Sequence, residues 1–124
     1  MTFNERMIGE ASVLDLDGRL TFTSGAELRC LVDSHVAAGA THLVLNLERV
    51  SYIDSAGLGA MIETFTAARG RATRLTLLNP GDRTRHLLEI TGVARVVEIF
   101  DSEAALASGA TVEDTHVVSS VAER

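Results

Sequence analysis

An aspartate and a serine stand together where a predicted helix follows an apolar strand. Asp54 and Ser55 come after the run at residues 42–47 and a short connector, and Gly57 and Gly59 follow them. The first amides of a helix have no intrahelical acceptor and carry a partial positive charge, so a carboxylate or hydroxyl caps them and a phosphate finds donors there. The two glycines keep the first turn uncluttered, which lets a second protein approach the backbone.

Two interpretations of this pair follow from its position. In the simpler one, Asp54 or Ser55 is an N-cap that stabilises the helix by about 1 kcal/mol, and the glycines serve packing. In the other, Ser55 accepts a phosphate group within reach of a second protein. Spacing alone does not decide between them, because both need the same residue types at the same place.

The elements that position the pair are predicted from hydrophobic periodicity. Strands are predicted in four segments, at residues 11–20, 42–47, 74–78 and 93–100, with residues 48–52 as a connector. Helices are predicted from Ser24 to Gly39, from Asp54 or Ser55 to Gly70, from Pro80 to Gly92, and from residue 101 or 102 to Ala107. This alternation predicts an α/β layer structure with largely parallel strand pairing.

The predicted helices carry start signals and apolar stripes. Ser24 and Glu27 have capping-box spacing, which predicts that the first helix starts at Ser24. The side chains predicted to be buried are, helix by helix, Leu28, Leu31, Val32, His35 and Val36, then Leu58, Met61, Ile62 and Phe65, then Leu87, Leu88 and Ile90. Cys30 lies in the first apolar pattern, which favours a small core residue, and as the only cysteine it can form no internal disulfide.

Length and composition fit one domain. A chain of 124 residues, 46% hydrophobic and 23% charged, can build a core without a metal or a disulfide. We place the domain at residues 1–110 and expect residues 111–124 to form a frayed or weakly helical tail.

The same sequence argues against several kinds of ligand. A net charge of −6 disfavours nucleic-acid binding, which needs a concentrated basic surface. The histidines lack metal-ligand spacing and no phosphate loop or dinucleotide fingerprint occurs, so we expect neither a metal nor a cofactor. A basic cluster at residues 83–86 fits either a partner contact or a solvated helix face, the latter being more common.

The N-terminal residues and the apolar runs bear on location. The N-terminus lacks the basic start and apolar core of a secretory signal, and the apolar runs are shorter than the roughly 20 residues needed to cross a bilayer. We therefore expect a cytoplasmic protein without membrane contact, and a monomer or a weak homodimer.

The strand and the helix start together carry a family motif. Residues 43–47 read Leu-Val-Leu-Asn-Leu, and residues 50–59 read Val-Ser-Tyr-Ile-Asp-Ser-Ala-Gly-Leu-Gly. This arrangement resembles the anti-sigma factor antagonist family, whose fold is named the sulfate transporter and anti-sigma antagonist (STAS) domain. The resemblance runs from about Ser12 to Leu106. It implies a single STAS domain with a mixed, mostly parallel sheet of four to five strands and about four helices.

The resemblance also implies a partner-switching function, in which this chain is not an enzyme. In the family, the serine directly after the aspartate is phosphorylated, and that serine is Ser55 here. The unmodified protein would bind an anti-sigma factor that is also an ATP-binding serine kinase, and would thereby free the sigma factor. Phosphorylation of Ser55 would abolish this binding, and a separate serine phosphatase would restore it.

The resemblance places the partner-binding surface around the motif. Its expected members are Thr21, Asp54, Ser55, Ala56, Gly57, Leu58 and Gly59. Leu58, Gly59 and Met61 are placed near the contact rim, and a core position for Leu58 and Met61 is an equal alternative. Two positions depart from the family: Ala56 replaces a usual second hydroxyl residue, and Thr21 stands where many phosphorylated members have an acidic residue.

Two other functions compete with partner switching. A hydrolase with Ser55 as nucleophile would need a base and an orienting acid, and Ser55 lies outside the Gly-x-Ser-x-Gly context typical of such enzymes. A STAS interaction module that is never phosphorylated, such as a stressosome-like scaffold or an accessory subunit of a transporter, is the more serious rival. Thr21 is the feature that favours it.

Overall fold

The computed structural model describes residues 1–108, so the predicted tail at residues 111–124 lies outside the described residues. In this part of the chain the elements follow one another as β1 (Thr2–Ile8), β2 (Ala11–Leu20), α1 (Phe22–Ala37), β3 (His42–Ile53), α2 (Ser55–Gly70), β4 (Arg74–Leu78), α3 (Asp82–Ile90), β5 (Ile99–Phe100) and α4 (Glu103–Ser108). A single 3-10 turn, Val93–Arg95, lies between α3 and β5. The α/β class predicted from the alternation of elements is confirmed.

All five strands belong to one sheet in sequential order. The β1 strand pairs antiparallel with β2, and the remaining neighbours pair parallel. Because parallel crossovers are right-handed and the order is sequential, α1, α2 and α3 fall on the same face of the sheet. The predicted mixed, mostly parallel sheet is confirmed.

The core therefore has two unequal parts. The larger part lies between the sheet and α1 to α3, and includes Leu14, Leu28, Leu45, Met61 and Leu88. The opposite face of the sheet is covered by α4 and holds a smaller cluster around Val13, Val44, Phe100 and Leu106. The β3 strand contributes residues to both clusters, Leu45 to the larger and Val44 to the smaller, which explains why it is apolar on both faces.

The strand predictions need three corrections. The β1 strand was not predicted, because it is an edge strand with most side chains exposed and so shows no clear apolar alternation. The predicted connector at residues 48–52 is the second half of β3, which continues along β2 through two irregularities in register. The predicted strand at residues 93–100 is a 3-10 turn followed by only two strand residues.

The starts of two helices also differ from the predictions. The first helix begins at Phe22 with Thr21 as N-cap, and Ser24 lies inside the first turn, where its hydroxyl accepts from the Thr21 amide at 2.7 Å. The third helix begins at Asp82 rather than Pro80. The connector from β4 includes Pro80: Asn79 turns the chain at a left-handed φ of 52° while its amide donates to the Phe100 carbonyl at 2.7 Å, and Gly81, with φ −66° and ψ 168°, is the N-cap.

Three side chains predicted to be buried are exposed. Cys30 lies on the outer side of α1, Ile62 is 41% exposed and Ile90 is 66% exposed. Residues at three- and four-residue steps span a wider arc of the helix surface than the part that packs against the sheet, so the outermost of them can point to solvent. The inner members Leu28, Val32 and Leu88 are buried as predicted.

An ion pair on the α4 side of the sheet ties β1 to the rest of the fold. The Arg6 guanidinium donates to both carboxylate oxygens of Asp15, at 2.6 and 3.0 Å, and also to Glu103 at 2.7 Å. The Asn46 amide donates to Asp15 at 2.7 Å. The hydrogen bond from Arg6, helped by that from Asn46 and opposed by partial burial, lowers the pKa of Asp15 below its ordinary value.

We expect this carboxylate to make the fold sensitive to acid. Its pKa is lower in the folded than in the unfolded chain, so its contribution is complete above the ordinary aspartate pKa and is lost as the pH falls through the lowered value. Urea unfolding from pH 7 to about pH 3 should give a shallower loss of stability for Asp15→Asn than for the wild type. Asp17→Asn, at an exposed position on the same strand, is the control and should keep the wild-type slope. Equal slopes for all three proteins would contradict the assignment.

Candidate functional site

The predicted pair lies at the carboxyl edge of the sheet, where two neighbouring strands end side by side. Leu20 and Ile53 are the last paired residues of β2 and β3. The next residues in the chain, Thr21 and Asp54, are the N-caps of α1 and α2. The Asp54 amide donates to the Leu20 carbonyl at 3.2 Å. Strand register therefore brings two helix N-termini, with their unpaired amides, to one edge of the sheet.

Asp54 is the residue that caps α2. Its backbone is extended, with φ −97° and ψ −179°, and its carboxylate accepts from the Gly57 amide at 2.7 Å. Its carbonyl accepts the first intrahelical bond, from the Leu58 amide at 2.9 Å. The choice between Asp54 and Ser55 as N-cap, left open by the sequence, is decided for Asp54.

Ser55 is the first residue of α2, and its side chain is exposed. Within residues 1–108 its hydroxyl has no hydrogen-bond partner. Because Asp54 occupies the Gly57 amide, the amides of Ser55 and Ala56 are the ones left without an intrahelical acceptor. The hydroxyl is therefore open to solvent at the positive end of a helix, which is the placement that modification by another enzyme requires.

Gly57 lies against the end of β2. A Cβ atom on Gly57 would lie 2.1 Å from the Leu20 carbonyl oxygen, far inside any real contact distance. Gly57 is thus buried and allows the helix to approach the strand, rather than opening the surface to a partner as the sequence suggested. At Gly59 the same added atom would meet nothing within 4 Å.

Comparison with known proteins adds the family. The family model described as "STAS domain" matches residues 3–106, which is most of the chain. The chain belongs to the STAS domain family.

Sequence relatives within this STAS family are regulators by name. The anti-sigma-B factor antagonist of Listeria monocytogenes is 41% identical over 61 residues, which are 49% of this chain and 54% of the relative. The corresponding protein of Staphylococcus aureus is 38% identical over 61 residues, covering 49% of this chain and 56% of the relative. The chain thus spans about half the length of the curated relatives it matches.

A solved structure resembles this chain over more of its length than the sequence relatives do. The anti-sigma factor antagonist SpoIIAA in its unphosphorylated form superimposes with a TM-score of 0.70 at 25% identity, covering 87% of this chain and 96% of that one. The likeness in fold therefore extends over most of both chains.

The remaining STAS residues predicted to bind a partner divide by exposure. Ala56 is exposed, and Thr21, Asp54 and Gly59 are partly exposed. Leu58 and Met61 are buried, with 9% and 2% exposure, and belong to the core cluster. The structure therefore places these two side chains in the core, as the alternative had it, and the partner contact predicted for Leu58 stays a prediction.

Three residues near the STAS site were not predicted from the sequence. Phe22 follows Thr21 and is 79% exposed, and Tyr52, two residues before Asp54, is 44% exposed. The Arg19 guanidinium lies 4.8 Å from the centre of the Tyr52 ring, a distance at which a cation and an aromatic face attract. The cross-strand pairing of Arg19 with Tyr52 is the signal, but it depends on a strand register that the sequence does not contain.

Metal centres and membrane-spanning helices are both absent from the described residues. Among residues 1–108, no group of three or more histidine, cysteine or acidic side chains is arranged to hold a metal ion. In the same part of the chain, each helix is too short or too polar to pass through a bilayer.

Proposed function

We propose that this chain is an anti-sigma factor antagonist that works by partner switching. In its unmodified form it binds an anti-sigma factor that is also a serine kinase, and the sigma factor is released. The observation that carries the proposal is the exposed Ser55 hydroxyl at the first position of α2, directly after the capping Asp54. The names of the sequence relatives and of the SpoIIAA structure support it.

Phosphorylation of Ser55 acts on the surface and leaves the fold intact. The modification adds about 1.5 to 2 negative charges at neutral pH. Ser55 is exposed and makes no side-chain bond in the described chain, so these charges displace no core group. They appear beside the Asp54 carboxylate, which is already held by the Gly57 amide and cannot move away without uncapping the helix.

The partners follow from this cycle. The chain meets an ATP-binding anti-sigma kinase when unmodified and a serine phosphatase when phosphorylated, and it performs no catalysis. With a net charge of −6 it binds no nucleic acid, and it acts in the cytoplasm. Ala56 leaves Ser55 as the hydroxyl residue of the first turn of α2, so one modification site suffices.

A STAS scaffold that is never phosphorylated is the second candidate, and Thr21 is the observation that favours it. Thr21 caps α1 one residue beyond the strand pair that also leads to Asp54, so it belongs to the same surface. An uncharged residue there gives a kinase less to recognise than an acidic one would.

Intact-mass spectrometry separates the two candidates. We expect the wild-type chain, incubated with ATP and each anti-sigma kinase of the source organism, to gain the mass of one phosphate group. Ser55→Ala should gain none, and Ser34→Ala, at an exposed serine of α1, should be modified like the wild type. No added phosphate on the wild type with any kinase would refute the switch and favour the scaffold.

A further inference from the structure

A groove runs between the carboxyl end of β3 and helix α3. It has a volume of about 470 Å³. Its lining includes Tyr52 and Ile53 on the strand side, and Arg83, His86, Leu87 and Ile90 on the helix side. The basic cluster at residues 83–86 lies on this helix, and the proposed switch at Ser55 does not involve it.

The groove exposes apolar surface that the fold does not cover. Ile90 is 66% exposed and Tyr52 is 44% exposed, on opposite walls. Exposed apolar side chains that share a concave surface mark interaction sites more often than scattered ones do. The ring of Tyr52 is held in place by Arg19, 4.8 Å away, so this wall is already formed without a ligand.

The charges of the groove are of the sign opposite to that of the whole chain. Arg83 and His86 form no salt bridge to any described carboxylate, whereas Arg85 on the same helix pairs with Asp101. Asp82 is the one acidic residue that lines the groove. With Arg19 beside Tyr52 at the edge, two arginines stand against this one aspartate in a protein of net charge −6, and His86 adds an imidazole N–H donor. This end of the molecule therefore complements an acidic partner.

The groove is continuous with the phosphorylation site. Ser51, Tyr52 and Ile53 line it, and Asp54 and Ser55 are the next residues of the chain. A protein that covers Ser55 therefore reaches the groove without crossing a gap.

We propose that this groove binds an acidic segment of the anti-sigma kinase, with an apolar side chain between Tyr52 and Ile90 and a carboxylate at Arg83 and His86. The inference rests on the proposed function, because it takes the kinase as the occupant. It adds a second contact area, outside the helix start, that selects the partner by charge and by apolar fit.

Two groove variants and two matched controls test the inference by titration calorimetry with the kinase. Arg83→Glu and Ile90→Ser should each weaken binding by about tenfold or more. Arg69→Glu and Val96→Ser change an exposed arginine and an exposed apolar residue outside the groove, and should bind like the wild type. Raising the salt concentration should weaken the wild type more than Arg83→Glu, because the lost contact is ionic.

The outcomes separate this inference from the proposed function. If Arg83→Glu and Ile90→Ser bind like the wild type while Ser55→Asp does not bind, the groove assignment is wrong and the switch stands. If the wild type binds no anti-sigma kinase, both are wrong. Thermal unfolding of each variant checks that the fold is retained, which the exposure of both side chains leads us to expect.

Discussion

Replacing Gly57 with alanine is expected to destabilise the domain by about 3 kcal/mol, the size of effect seen when a well-packed contact is overfilled. The added Cβ would lie 2.1 Å from the Leu20 carbonyl oxygen and 2.6 Å from the Leu20 carbonyl carbon. Both atoms belong to the backbone, so no side-chain rotation relieves the overlap. The start of α2 must move away from β2, which also strains the bond from the Asp54 amide to the same carbonyl.

Gly59→Ala is the matched control, since it makes the same chemical change two residues further along the same helix. An added Cβ there would meet nothing within 4 Å. Alanine is a better helix former than glycine by about 0.8–1.0 kcal/mol, so this variant should be slightly more stable than the wild type. Urea unfolding followed by circular dichroism measures both changes. A stable Gly57→Ala variant would contradict the close approach of helix and strand.

The start of α2 could be predicted from sequence because its signals are local. Three signals mark it: the apolar run of β3 before the helix, the Asp-Ser pair at its start and Gly70 at its end. Each depends on a few neighbouring residues, and the observed helix runs from Ser55 to Gly70. The choice between Asp54 and Ser55 as cap needed the structure, because either side chain can accept from an amide one turn further along. Ser55 could therefore be identified as the candidate site from the residues next to it in the chain.

The role of Gly57 could not be predicted, because it depends on an atom 37 positions earlier in the chain. The contact with Leu20 exists only when β2 and β3 pair in the observed register, which ends at Leu20 and Ile53. The sequence gives the residue type, and a glycine in a first helical turn has several explanations. Long-range register also accounts for the missed exposure of Tyr52 beside Arg19.

The edge strands were the least predictable part of the fold. The side chains of β1 are mostly exposed, so neither an apolar run nor an alternation marks it. At the other edge, β5 pairs with β4 through only two residues, and the apolar residues before it pack as a 3-10 turn. At this second edge apolar content predicts burial, but it does not say which backbone conformation delivers the burial.

Ser55→Asp is expected to weaken binding of the anti-sigma kinase by about 100-fold, because like charges brought together at an interface cost several kcal/mol. Ser55→Ala should bind within about twofold of the wild type, since the hydroxyl makes no bond in the described chain that its loss would disturb. The two variants differ in charge at one exposed position, and neither changes a core contact. Titration calorimetry with the purified kinase and ATP analogue measures the affinities.

Glu48→Gln and Thr41→Asp control for the general effect of charge on binding. Both sites are exposed and lie outside the groove and the first turn of α2, Glu48 on β3 and Thr41 directly before it. If added charge acts only by lowering the attraction between two proteins at a distance, Thr41→Asp should weaken binding as much as Ser55→Asp. If it acts at the contact, the loss of binding should be confined to Ser55→Asp, whose new carboxylate lies beside the fixed Asp54 carboxylate and the unpaired amides of the helix start. Equal affinity for Ser55→Ala and Ser55→Asp would remove the physical basis of the switch, because no other described group near the hydroxyl changes its charge on modification.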